Sequence, residues 1–96
     1  MNRLLLTARL VERAALRHTP AGLPALDVTL KHDSELSENG APRKVNMELR
    51  AVAIGDVTRS LSTLALGDEA LFAGFMAPAR NGRGLVFHIT SVEPAG

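Results

Sequence analysis

Ninety-six residues carry eleven Lys plus Arg against ten Asp plus Glu, a formal net charge of +1, with no cysteine, tryptophan or tyrosine and three phenylalanines. A chain of this size makes one domain with one modest core, and the missing cysteines exclude a disulfide framework and a thiolate metal site. The near-neutral balance does not by itself announce a nucleic-acid binder, so any such function must rest on where individual cations sit.

The opening MNRLLLTARLVER is interrupted by Thr7 and Arg9 too soon for a signal sequence or a membrane span, so it belongs to the fold and a cytoplasmic setting is the default. Residues 2–12 read as a first strand. Leu4, Leu6, Ala8 and Leu10 share one parity; Arg3, Thr7 and Arg9 share the other, with Leu5 and Val11 as apolar exceptions on the polar face. In LRHTPAGLP, residues 16–24, Pro20 presets a turn, Gly22 can take a positive φ, and Pro24 is tolerated at the first position of a strand. A second strand therefore runs over about 25–32, with Leu26, Val28 and Leu30 inward and Asp27, Thr29 and Lys31 outward. Residues 33–43, DSELSENGAPR, are polar throughout and end in Asn-Gly and Pro, which predicts a long flexible hairpin loop.

The third strand, about 44–54, points Val45, Met47, Leu49 and Ala51 inward and Lys44, Asn46, Glu48 and Arg50 outward. Residues 56–66 carry Val57, Leu61, Leu64 and Ala65 at helical spacing, with Asp56 or Thr58 as N-cap and Gly67 as the stop. A fourth strand, 70–77, has Gly74 at an expected bulge; PARNGRG is a second loop; a fifth strand, 85–92, turns Leu85, Phe87 and Ile89 inward. All three phenylalanines, Phe75 included, read as core. Three strands, a short helix and two more strands give an all-β class: a five-stranded OB-fold barrel with the helix between strands 3 and 4, over a single domain of residues 1–96. An SH3-like barrel, which lacks that helix, and an open α+β sheet are the competitors.

Chemistry-bearing constellations are scarce. His18, His32 and His88 have no carboxylate or cysteine neighbours at ligand spacing, so no metal or other cofactor is expected. Ser60, Ser62 and Thr63 stand in no nucleophile motif, and ARNGRG precedes a strand where a phosphate loop would precede a helix. No enzyme is indicated. The cations are better placed: Lys31, Lys44 and Arg50 share the outer face of the second and third strands, and Arg17, Arg43, Arg80 and Arg83 lie in flanking loops. Together they could line one groove for a phosphate backbone.

NRLLLTARL, LRHTPAGLPALDVTLKH and LGDEALFAGFMA together resemble the single-stranded DNA-binding (SSB) family of OB-folds, and within it the primosomal replication protein N, or PriB, group. The most specific part is the NRL start followed by TPAGLP and a strand ending Leu-Lys-His; a chain ending at Gly96 without a long acidic-tipped tail also favours the PriB group. The resemblance implies a non-catalytic homodimer that binds single-stranded DNA during replication restart and contacts the primosomal helicase and its loading proteins. It places Arg17, Arg80 and Arg83 where the family carries basic DNA contacts. It also implies pairing through the first strand, which makes Arg3, Leu5, Thr7, Arg9 and Val11 the candidate dimer interface. The chain departs from the family pattern at Asp33, Ala41, Pro42 and Asn46, where basic or aromatic residues are expected, and this predicts weaker, more electrostatic DNA binding. The alternative is a protein-interaction OB module with little DNA affinity.

Overall fold

The computed structural model describes residues 1–95. In chain order it contains β1 (Leu4–Arg13), β2 (Arg17–His18), β3 (Pro24–Glu38), β4 (Ala41–Ile54), α1 (Val57–Thr63), β5 (Glu69–Pro78) and β6 (Leu85–Pro94). The strands are ordered β1-β5-β6-β4-β3-β2, and β1 also pairs with β3, so β1, β5, β6, β4 and β3 close into a barrel. Every barrel contact is antiparallel except β4 with β6, where Ala51, Val52 and Ala53 run parallel to Phe87, His88 and Ile89. This is the expected OB-fold barrel. Closure pairs strands that would otherwise present open edges.

Alternation supplies the core. Leu6, Ala8 and Leu10 of β1 meet Leu26, Val28 and Leu30 of β3 and Ala51 and Ala53 of β4 inside the barrel, with Phe72 and Phe87 fully buried at its centre. Helix α1 plugs one end through Leu61, followed by Leu64, both buried in the same cluster. Asp56 occupies the N-cap position without a side-chain cap hydrogen bond. At the other end of the helix the Arg13 guanidinium donates to the Leu61 carbonyl at 3.2 Å, which also accepts the Leu64 N–H at 3.3 Å, and to the Leu64 carbonyl at 2.5 Å, tying β1 to the end of the helix.

The loop expected over 33–43 is replaced by regular pairing. β3 is 15 residues long, and its register with β4 runs unbroken from Ala25↔Ile54 to Glu38↔Ala41. Only Asn39 and Gly40 form the turn, with φ of 52° and 79°, the conformation of a type I′ hairpin. Beyond Lys31, the last β3 residue in register with β1, the hairpin leaves the barrel as a two-stranded arm and stretches the molecule to 49 Å along its longest axis. Both faces of the arm are wet, so no hydrophobic alternation marks it in the sequence.

Three further departures bear on the site. Arg17 lies not in a loop but on β2, whose two residues pair with Ala25 and Pro24 of β3 across a turn closed by Gly22. Phe75 is 37 % exposed on the outer face of β5 and is not core. It shares parity with Leu71, as the sequence shows, but the buried parity of β5 is that of Ala70 and Phe72. Leu85 likewise shares the inward parity of Phe87 and Ile89, yet sits exposed at the start of β6 beyond the rim of the core.

Candidate nucleic-acid interface

A groove of about 860 Å³ opens on the outer face of β3, β4 and β6, roofed on one side by the β2 turn and on the other by the β5–β6 loop. It brings together Arg17 from β2, Arg50 from β4, and Arg80 and Arg83 from the loop. Arg50 stands opposite Thr29 in the β3–β4 ladder, so the pleat aims it outward from the barrel wall. The Arg80–Arg83 loop is fixed by a hydrogen bond from Ala79 N–H to the Gly84 carbonyl at 3.0 Å and by another from Gly82 N–H to the Ala79 carbonyl at 2.9 Å.

The other three candidate cations lie elsewhere. Lys31 pairs in register with Glu48 and with Arg9, off the groove. Arg43 and Lys44 are on the arm, where Arg43 meets Glu38 at 3.5 Å and Lys44 is in register with Glu35. With Asp33 also on it, the arm carries three carboxylates against these two cations, so it offers little attraction to a polyanion.

Within the groove Arg17 is not free. Its Nε and Nη2 donate to the two carboxylate oxygens of Asp27 at 2.6 and 3.1 Å, a bidentate pair. Hydrogen bonding to the guanidinium holds the Asp27 carboxyl below its ordinary value, against an opposing push from partial burial, and the same bond raises Arg17. Because the folded Asp27 value is depressed, the pair contributes stability above the ordinary carboxylate range and loses it as pH falls through the folded value.

Asp27→Asn therefore has two expected effects. Stability at neutral pH falls by no more than about 1 kcal/mol, since both partners are nearly half exposed, and the difference from wild type vanishes in acid. Polyanion binding strengthens, because the groove loses a carboxylate and Arg17 no longer divides its guanidinium between Asp27 and phosphate; the log–log salt slope steepens by up to about 0.7. Chemical denaturation at pH 7 and pH 3, with anisotropy across a salt series, reads both. An unchanged slope would leave Arg17 outside the binding track.

Sequence reasoning missed several lining residues, among them Glu12, Arg13 and His88. Arg13 borders the groove, but its guanidinium is committed to the carbonyls at the end of α1. His88 points outward between Phe87 and Ile89 and stacks on Phe75, with ring centroids 4.9 Å apart and planes 6° from parallel. The outward parity of His88 is legible in the sequence; its partner is not, because parity groups Phe75 with Leu71 without saying which face of β5 is buried. Among the described residues no group of three His, Asp or Glu side chains is placed to hold a metal ion, and no helix is long and apolar enough to cross a membrane.

Of the first-strand candidates, Leu5, Thr7 and Arg9 lie on the outer face of β1 in register with Ala73, Leu71 and Glu69 of β5. Val11 sits at the irregularity between Leu10 and Glu12, and Arg3 precedes the strand. β3 joins β1 only from Arg9 onward, so the earlier half of β1 has a backbone edge with one described contact, the His32 Nδ1 at 2.7 Å from the Thr7 carbonyl.

Residues 2–91 match the profile of a family described as another single-strand binding protein family. The chain belongs to that single-strand binding family. Within it the chain falls in the PriB group: it is 52 % identical over 80 residues to the replication restart protein PriB of Bordetella pertussis, an alignment covering 83 % of this chain and 75 % of that one. PriB of Neisseria gonorrhoeae is 41 % identical over 71 residues, 73 % of this chain and 70 % of the relative. The solved structure of PriB from Ralstonia solanacearum superposes with a TM-score of 0.90 at 35 % identity, covering 100 % of this chain and 99 % of that one. The single-stranded DNA-binding protein of Thermus aquaticus, at 21 % identity and a TM-score of 0.76 over 51 % of its length, shares the family's fold.

Proposed function

We propose that this chain binds single-stranded DNA as a non-catalytic accessory protein of replication restart, with the groove of Arg17, Arg50, Arg80 and Arg83 as the track for the phosphate backbone. The observation that carries this reading is convergence. Side chains from β2, β4 and the β5–β6 loop, far apart in sequence, meet in one depression on the face that OB-folds use for oligonucleotides. Membership of a single-strand binding family and likeness to proteins named replication restart protein PriB support it. Contact with the primosomal helicase and its loading proteins belongs to the same reading and rests on that likeness. Guanidinium contacts to phosphates carry little sequence information, so binding is non-specific.

Anisotropy of a labelled oligo-dT at two salt concentrations tests the reading: binding that weakens steeply with salt supports it. The competing reading, a protein-interaction module with little DNA affinity, is favoured by the Arg17–Asp27 pair and by the acidic arm. Absence of binding even at 50 mM salt would decide for it.

The working unit in this reading is a homodimer joined through β1. Leu5 is 59 % exposed beside the unpaired part of the β1 edge, a combination that invites a second copy to add its own β1. Sedimentation at micromolar concentration is expected to give a dimer, and Leu5→Glu a folded monomer. A wild type that sediments as a monomer would end the dimer proposal and leave the groove untouched.

A further inference from the structure

The Phe75–His88 stack stands between two depressions. His88 lines the arginine groove; Phe75 lines a second, smaller hollow of about 260 Å³ bounded by Asn2, Arg3, Ala73, Gly74, Thr90 and Ser91. The rings are nearly parallel, so each covers one face of the other and the two outer faces of the stack turn away, the imidazole toward the groove and the phenyl toward the hollow. The pair also lies in line with the groove. Asp27 is in register with Val52, Val52 with His88, and His88 with Phe75, a straight row across β3, β4, β6 and β5 that spans about 14 Å at ordinary strand spacing.

Beyond Phe75 the row continues to Arg3. Register between β1 and β5 ends at Leu4↔Gly74, and Asn2 carries the N-terminal segment one step further: its side-chain amide donates to the Met76 carbonyl at 2.6 Å and accepts from the Met76 N–H at 3.0 Å. This clip holds Arg3 alongside Phe75. No carboxylate lines the hollow, so its one formal charge is positive. The Thr90 hydroxyl donates to the Ala73 carbonyl at 3.2 Å, which leaves its lone pairs available.

We propose that this hollow is a nucleotide subsite: a base of single-stranded DNA stacks on the outer face of Phe75 while its phosphate meets Arg3, extending the track from the arginine groove across the Phe75–His88 pair. The assignment rests on the DNA-binding reading above and deepens it. It adds the phenyl face of Phe75 to the imidazole face that His88 already turns to the groove, and it makes binding depend partly on bases and not on backbone charge alone.

The test compares oligo-dT with an abasic oligonucleotide of the same length and charge. Wild type is expected to bind oligo-dT about five- to tenfold more tightly, the lower end of what one stacked base contributes. Phe75→Leu, which keeps an apolar side chain without the ring, is expected to bind both probes at the abasic level. Chemical shifts give a second readout that needs no variant. Only three phenylalanines are present, and Phe72 and Phe87 are fully buried. Oligo-dT should therefore shift the ring signals of Phe75 and His88 upfield while Phe72 and Phe87 report an intact core, and the abasic probe should not.

Equal affinity of wild type for the two probes, or a Phe75→Leu protein that keeps its preference, overturns the subsite while leaving the arginine groove standing. Failure of wild type to bind either probe at 50 mM salt overturns the groove and the subsite together.

Discussion

Changing Arg50, Arg80 and Arg83 together to Ala is expected to lower affinity for oligo-dT roughly a hundredfold at 0.1 M salt while the protein stays folded. Each phosphate neutralised on a single strand contributes about 0.7 to the slope of log affinity against log salt, so three contacts remove about 2.1 from the slope. At 0.1 M that is about fivefold per contact, which compounds to the hundredfold loss. Folding is spared because all three side chains are exposed and their guanidinium groups have no described carboxylate partner; such surface substitutions usually change stability by no more than about 0.5 kcal/mol. The control is Arg43→Ala with Lys44→Ala on the arm, which removes two charges that face Glu38 and Glu35. If net charge alone governed binding, the arm variant would lose two-thirds as much of the slope as the triple variant. If the groove is the track, its slope barely moves. A triple variant with wild-type affinity and slope would take DNA off this face.

The barrel was legible because its walls are half buried. Leu26, Val28 and Leu30 against Asp27, Thr29 and Lys31 state both the strand and its inner face, and the break after Ile54 followed by the spacing of Val57 and Leu61 states the helix. The arm was not legible for the complementary reason: past Lys31 neither face is packed, so the strands persist on backbone pairing and the Asn39-Gly40 turn, and polar residues on both faces resemble a loop. The dipeptide was the available signal. The site shows the same division. Arg50 is placed by strand parity alone, and Arg80 and Arg83 by their loop, but the exclusion of Lys31, Arg43 and Lys44 depends on the length of the arm and on cross-strand acids. Those acids become neighbours only once the register is known, as the Arg17–Asp27 pair also does. Alternation does not place Phe75, because it says which residues share a face, not which face is inside. His88 beside it, between two buried apolar residues, carried that second piece of information.

Gly74→Ala should be among the most damaging single substitutions in the chain. The sequence marks this glycine as the site of a bulge, and the ladder shows why one is needed. Ala73 is in register with Ser91 but Gly74 with Ile89, so Thr90 is the extra residue on β6, a β-bulge opposite the glycine. A Cβ added to Gly74 would lie 1.8 Å from the His88 carbonyl oxygen and 2.8 Å from its carbon, with the Phe87 ring at 3.0 Å. The first two are backbone atoms in a paired strand and the third belongs to a fully buried side chain, so none can swing aside. Relief requires the two strands to part, which costs the nearby ladder bonds and disturbs the packing of Phe87. A loss of about 3 kcal/mol follows, at the upper end of overpacking penalties. For a domain of this size that lowers the melting temperature by about 12 to 24 °C. Gly22→Ala is the comparison: that site has open space around it but a φ of +87°, so the variant carries only the strain of a left-handed conformation, about 1 to 2 kcal/mol. Thermal and urea unfolding of the two variants separate close approach from conformation. A Gly74→Ala protein that melts within a few degrees of wild type would mean that β5 and β6 do not run this close. It would also remove the geometry that sets Phe75 against His88.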